Sequence, residues 1–145
     1  MTLTLDQIKT IIPQRDPILL VDEVTDLIPN ESIEARFYVS PSLSVFQGHF
    51  PDQPILPGVY SVESLAQTAD ILLLSMERYQ GKTPLFIGID RAKFKRKVLP
   101  GMHMCMTARI AQELPEKSIV SCDTASYNAK TGDLCVSAVV TLAMR

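Results

Sequence analysis

The chain has 145 residues, of which 46% are hydrophobic and 21% charged, and its formal net charge is −2 at pH 7. This length is typical of one domain, here 1–145, and the slight acidity argues against a nucleic-acid-binding protein. We expect no signal peptide, because the first residues lack a basic start and a long apolar run, and no membrane span, because the longest apolar stretch is too short.

The first predicted element is a short N-terminal helix. Its signals are a capping-box pair, helically spaced apolar residues and a terminating proline, which are Thr4 with Gln7, then Leu5, Ile8 and Ile12, then Pro13. Two strands should follow. Ile18–Val24 is rich in leucine and β-branched residues, and Ser32–Val39 alternates apolar and polar residues as a half-buried strand does.

One long helix is predicted over Gly58–Gln80, with Gly81 after its end. Its apolar residues cover more than one stripe, so we expect burial on most sides. Four strands should follow it, at Leu85–Val98, Met102–Leu114, Lys117–Tyr127 and Asp133–Ala143. Several strands with one long buried helix indicate an α+β fold, in which an antiparallel sheet wraps a central helix.

The loop before this helix places a histidine among prolines. His49 is one of two histidines in the chain, and Pro51, Pro54 and Pro57 restrict the backbone after it. A stiff loop is what a positioned general base needs. In the second turn of the helix, Glu63 stands among apolar neighbours, where desolvation would raise its pKa towards that of a usable acid at neutral pH.

The start of the helix supplies a third component. Gly58 opens the helix, so backbone N–H groups there lack intrahelical partners and lie at the positive end of the helix dipole. Gln67 follows Glu63 by four residues and could orient its carboxyl group. A base, a neutral acid and an oxyanion site together suit elimination next to a carbonyl group.

Other chemistries have little support in the sequence. Cys105, Cys122 and Cys135 are odd in number and lack metal-site spacing, so we interpret them as apolar strand residues in a reducing, cytoplasmic setting. The chain has no GxSxG, Walker or GxGxxG motif and no histidine–cysteine cluster. We therefore expect neither a metal nor a cofactor.

Three segments carry a resemblance to a known family. "QGHFPDQPILPGVYSVESLAQTA", "RDPILLVDEV" and "FIGIDRAKFKRKVLPG" closely resemble segments of the bacterial 3-hydroxyacyl-acyl-carrier-protein dehydratases (the FabZ type), and the likeness runs from about Ile12 to the C-terminus. The resemblance implies a hot-dog fold and a homodimer, which in the family often assembles further into a trimer of dimers. It also implies that His49 of one protomer faces Glu63 of the other.

The resemblance also implies roles for individual residues. His49 would be the catalytic histidine and Glu63 the catalytic carboxylate, while Gly58 would bind the thioester carbonyl and Gln67 would support the carboxylate. Phe50 and Val59, next to these residues, complete the predicted substrate-binding set. Some positions depart from the family pattern but leave His49 and Glu63 intact. They bear on the length of the acyl substrate and on the pathway that the enzyme serves, and they are Gln14, Asp16, Asp52, Leu85 and Met102.

A basic stretch follows the long helix and has two interpretations. Five cations stand within seven residues, namely Arg91, Lys93, Lys95, Arg96 and Lys97. On a strand, four of them would share one face, which could be a solvated edge guarded by lysines. Alternatively, they could dock an acidic partner. In the resembling family that partner is acyl carrier protein with its phosphopantetheine-linked 3-hydroxyacyl chain.

The leading prediction is therefore a cytoplasmic (3R)-3-hydroxyacyl-[acyl-carrier-protein] dehydratase that forms a trans-2-enoyl thioester. A hot-dog acyl thioesterase, which would use a carboxylate to activate water, is the first alternative. A non-catalytic acyl-binding subunit is the second. His49 with Pro57-Gly58 and Glu63 favours elimination, and a test of product formation separates the three.

Overall fold

The computed structural model describes all 145 residues. Two helices and six strands occur in the order α1 (Leu5–Ile11), β1 (Glu23–Ile28), β2 (Ser32–Tyr38), α2 (Gly58–Leu74), β3 (Pro84–Phe94), β4 (His103–Leu114), β5 (Ile119–Asn128) and β6 (Leu134–Met144). Every strand pair is antiparallel, and the sheet order is β1-β2-β4-β5-β6-β3. Helix α2 packs against all strands from β2 to β6, which is the predicted arrangement of sheet and central helix.

Helix α2 is buried on most of its circumference, as its apolar pattern predicts. Of its 17 residues, 13 are buried, and these include polar Ser64, Gln67 and Asp70. The helix ends at Leu74, before the predicted Gln80, because the chain turns there into a short 3₁₀ helix, Glu77–Tyr79, that buries the Tyr79 ring. Neither helix combines the length and the apolar character that a membrane crossing requires.

The first strand lies later in the chain than predicted. Residues Ile18–Asp22 are not part of the ladder, and β1 covers only the last two residues of the predicted Ile18–Val24. The reason is that the backbone of Leu20 bonds to side chains of α2: its N–H donates to Gln67 Oε1 at 2.7 Å and its carbonyl accepts from Ser64 Oγ at 3.0 Å. Polar groups of the helix thus replace a neighbouring strand.

The third strand ends earlier than predicted. It stops at Phe94, and the following N–H groups of Lys95 and Arg96 both donate to the carbonyl of Cys135, so the ladder does not continue to Val98. The predicted alternation in β2 is confirmed, since Ile33, Ala35 and Phe37 are all buried. The last three strands begin and end within two residues of their predicted limits.

Candidate active site

His49 is held by its own loop. It follows the 3₁₀ turn Ser44–Gln47, and its Nδ1 lies 2.9 Å from the carbonyl oxygen of Ile55. A carbonyl only accepts hydrogen bonds, so Nδ1 carries the proton and Nε2 of the neutral ring is left with a free lone pair. The ring of Phe50 stacks on the imidazole with centroids 4.1 Å apart. The loop therefore presents Nε2 as an oriented proton acceptor.

Backbone bonds close the proline loop at its base. The N–H of Ile55 donates to the carbonyl of His49 at 3.0 Å, and the N–H of Leu56 donates to the carbonyl of Val98 at 2.8 Å. Together with the fixed φ of the three prolines, these bonds restrict the path between His49 and the start of α2. The stiff loop expected from the sequence is thus anchored to the segment after β3.

The first turn of α2 offers free backbone donors. Tyr60 and Ser61 donate to the carbonyl of Pro57, at 2.9 and 3.3 Å, whereas the N–H groups of Gly58 and Val59 have no acceptor. A Cβ atom at Gly58 would lie 2.6 Å from Cε1 of Phe94, so the ring approaches this closely only because the residue is glycine. The helix start can therefore receive a carbonyl or enolate oxygen.

His49 and this helix start face one cavity of about 510 Å³. Gly58, Val59 and Phe94 line it on one side, and Lys95, Arg96, Lys97 and Val98 line it on another. The structure thus places His49 and the residues with unpaired N–H groups around the same cavity. Phe94 is a lining residue that sequence reasoning missed, because in the chain it stands only as the single aromatic residue of a basic stretch.

Glu63 belongs to a second group of side chains. Gln67 Nε2 donates to Glu63 Oε2 at 2.7 Å and to the carbonyl of Ile18 at 2.7 Å, while its Oε1 accepts from the N–H of Leu20. These partners fix which end of the amide faces the carboxyl group. Burial raises the pKa of Glu63, and the hydrogen bond from Gln67 opposes that change. Gln67 therefore orients the carboxyl, as predicted.

One chain does not bring these two groups into a single cavity. Glu63, Gln67 and Phe50 do not line the cavity that contains His49. Glu63 is five residues after Gly58, so the two positions lie about 140° apart around the axis of α2 at 3.6 residues per turn. Each chain thus holds His49 and the free N–H groups in one place and the Glu63 carboxyl in another. We call these two places the histidine half-site and the carboxyl half-site.

The basic stretch divides into two parts. Lys95, Arg96 and Lys97 line the cavity with His49, whereas Arg91 and Lys93 lie in a shallow depression elsewhere on the sheet. The prediction that alternate cations share one strand face is wrong, since Arg91 has a φ of +50° at a register shift and the strand ends at Phe94. Only Lys95, Arg96 and Lys97 adjoin the candidate site.

Strand β3 presents an apolar surface beside this cavity. It pairs only with β6, so its other edge is unpaired. Large apolar side chains along it are well exposed: Leu85, Phe86, Ile87, Ile89 and Phe94. Val59, at the start of α2, is 73% exposed. A long, apolar, unpaired edge is a surface that stable proteins ordinarily cover.

A buried carboxyl group on α2 was also missed by sequence reasoning. Asp70 is 2% exposed and accepts a hydrogen bond at 2.9 Å from Nε2 of Gln14. Gln14 stood out in the sequence only as a departure from a family pattern. The available signal for Asp70 is its position, since it follows Glu63 and Gln67 at helical spacing inside an otherwise apolar segment.

Comparisons of the sequence with known proteins give consistent matches. The model of the ApeI-like family, described as ApeI dehydratase, matches residues 25–134. The chain is 52% identical over 101 residues to "3-hydroxyacyl-[acyl-carrier-protein] dehydratase FabZ" of Clostridium beijerinckii, covering 68% of this chain and 71% of that protein. It is 42% identical over 128 residues to the protein of the same name from Levilactobacillus brevis, covering 88% and 86%.

Comparisons of the structure give the same fold. "The Dehydratase Heterocomplex ApeI:P from Xenorhabdus doucetiae" matches with a TM-score of 0.78 at 14% identity, over 95% of this chain and 90% of that one. "Zebra Fish Thioesterase Superfamily Member 2" matches with a TM-score of 0.72 at 17% identity, over 99% of both chains. At such identities the likeness concerns the fold alone, and it confirms the predicted hot-dog architecture.

Proposed function

Since the chain belongs to the family of hot-dog 3-hydroxyacyl-[acyl-carrier-protein] dehydratases, we propose that it removes water from a (3R)-3-hydroxyacyl chain on acyl carrier protein. The product is the trans-2-enoyl thioester of fatty-acid or related acyl-chain biosynthesis. The observation that carries the proposal is the cavity in which His49 meets the unpaired N–H groups at the start of α2. Such a cavity holds the base and the enolate-stabilising donors of a β-elimination.

The proposed mechanism assigns one step to each group. Nε2 of His49 removes a proton from C2 of the thioester, since its ring donates from Nδ1 to Ile55. The N–H groups of Gly58 and Val59 stabilise the enolate oxygen, which is worth about 3–4 kcal/mol per donor in comparable sites. Glu63 protonates the departing hydroxyl group, and its raised pKa favours the protonated form that this role needs.

The reaction needs both half-sites, so we propose a homodimer in which His49 of one protomer faces Glu63 of its partner. Two observations support this. The half-sites of one chain do not share a cavity, and the unpaired apolar edge of β3 adjoins the histidine half-site and offers a surface for a second copy. Further assembly into a trimer of dimers stays a prediction.

Acyl carrier protein is the proposed partner, and Lys95, Arg96 and Lys97 its proposed docking residues. They line the cavity that would receive the phosphopantetheine arm, and all three are exposed. Arg96 lies 3.6 Å from Asp133, an exposed pair that leaves its charge open to competition. An acidic carrier would be steered to this rim by charge. A cytoplasmic location for this protein remains a prediction.

A product test separates this function from its alternatives. The purified protein is mixed with a 2-enoyl thioester on carrier protein, and both the enoyl absorbance and free thiol are followed. We expect loss of absorbance without thiol release, because water adds across the double bond. Thiol release without hydration would favour the thioesterase, and no change in either signal would favour a non-catalytic acyl-binding subunit.

A further inference from the structure

Asp70 is a buried carboxyl group that the proposed chemistry does not use. Its side chain lies in the core on α2, and its one hydrogen-bond partner is the amide of Gln14. Two oxygens of this pair, Asp70 Oδ1 and Gln14 Oε1, are buried and have no hydrogen-bond partner. Buried polar atoms are nearly always paired, so two orphan acceptors on adjoining groups need an explanation. One added proton would supply the missing donor.

The surroundings of Asp70 favour that proton. The pKa of Asp70 is raised to about 8: burial is the main cause, the hydrogen bond from Gln14 opposes it, and the charge of Glu63 on the same helix adds to it. Cys122, which faces it from β5, has a pKa that burial raises to about 12, so its thiol is neutral. Arg15 forms no ion pair with Asp70, since its guanidinium donates to backbone carbonyls. These surroundings favour the neutral form of Asp70 at pH 7.

Asp70 is connected to Glu63 through the segment that precedes β1. Side chains of α2 bind that segment at three points: Asp70 at Gln14, Gln67 at Ile18 and Leu20, and Ser64 at Leu20. The amide of Gln67 that binds the segment also donates to Glu63 at 2.7 Å. The placement of the segment and the orientation of the Glu63 carboxyl therefore depend on the same amide.

We propose that protonated Asp70 is a positioning residue for Glu63. Its proton gives the Asp70–Gln14 pair a second hydrogen-bond donor, which holds the segment Gln14–Leu20 against α2 and so holds Gln67 against Glu63. Loss of the proton leaves a buried charge and two acceptors without donors, the segment loosens, and Glu63 loses its orientation. The catalytic part of this inference depends on the proposed role of Glu63.

Asp70→Asn tests the inference, since an amide is permanently neutral and carries both a donor and an acceptor for Gln14. We would measure kcat and KM of both proteins between about pH 6 and pH 9, each normalised to its value at pH 6. The ratio of the two profiles reports the pH dependence that the Asp70 carboxyl group contributes. A pKa of about 8 leaves roughly one tenth of the group protonated at pH 9. At pH 9 we therefore expect the relative kcat of the original protein to lie about tenfold below that of Asp70→Asn, with KM unchanged.

Two further variants sharpen the result. Asp123→Asn removes an exposed carboxylate from β5, where it lies 4.0 Å from Arg109, and its pH profile should follow that of the original protein. Asp70→Leu removes the observed hydrogen bond from Gln14 and the proposed one to it. Its kcat should therefore be low at every pH, whereas Asp70→Asn should keep it high. Superimposable kcat profiles for the original protein and Asp70→Asn would overturn the positioning role.

Unfolding by urea gives a readout that does not need activity. A pKa raised above its unfolded value contributes stability that is full below about pH 4 and is lost as pH rises to about 8. The original protein should therefore lose stability relative to Asp70→Asn over that range. Parallel stabilities would show that Asp70 is not protonated and overturn the inference, even if the protein has no dehydratase activity and the proposed function fails.

Discussion

Replacement of Glu63 by glutamine separates proton donation from every other property of this side chain. The amide has the same shape as the carboxyl group, and its oxygen can still accept the 2.7 Å hydrogen bond from Gln67. It cannot, however, give a proton to the departing hydroxyl group. A positioned general acid contributes about 10²–10⁴-fold to the rate, so we expect kcat for hydration of a 2-enoyl thioester to fall by that factor.

The same replacement should leave the fold intact. Burial raises the pKa of Glu63, so the ionised form destabilises the folded chain increasingly as pH rises through that pKa, and glutamine removes this effect. We expect unfolding by urea at neutral pH to show equal or higher stability for Glu63→Gln. A variant that is stable and binds substrate but loses less than about tenfold in kcat would refute the assignment of Glu63 as the acid.

Three other predictions concern the two half-sites and their rim. His49→Ala should abolish hydration and dehydration while the protein stays folded, and near-normal turnover would contradict its role as the base. Subunit exchange between inactive His49→Ala and Glu63→Ala proteins should restore part of the activity, because mixed dimers contain one intact composite site; no recovery in verified heterodimers would count against shared sites. Lys95→Glu should raise KM for carrier-bound substrate but not for a small thioester, and added salt should do the same to the original protein, because both weaken charge steering. Lys93→Glu, farther from the cavity, is the matched control. Equal effects of Lys95→Glu on both substrates would contradict docking.

The sequence predicted the elements whose signals are local. Strand β2 alternates strictly, and its apolar residues are the buried ones. Helix α2 has apolar residues around most of its surface, and the structure buries it accordingly. The predicted first strand was misplaced because Leu20 bonds to Gln67, a residue 47 positions away. No local pattern indicates that a helix side chain will replace a strand partner.

The candidate site was predictable in its parts but not in its arrangement. Prolines around His49 and a carboxyl group on an apolar helix are visible in the chain, as is the glycine that opens α2. What is not visible is that Phe94 packs within 2.6 Å of where a Cβ of Gly58 would lie, which depends on the end of β3. The pairing of Gln14 with Asp70 likewise joins residues 56 positions apart and requires the folded chain.

The most direct test of dehydration is the mass of the carrier protein after reaction. A (3R)-3-hydroxyacyl carrier protein is incubated with the purified protein, and the intact carrier is weighed by mass spectrometry. We expect a species lighter by one water, formed only when both His49 and Glu63 are present. A carrier that keeps its full mass, or that loses the whole acyl group, would contradict the proposed dehydratase.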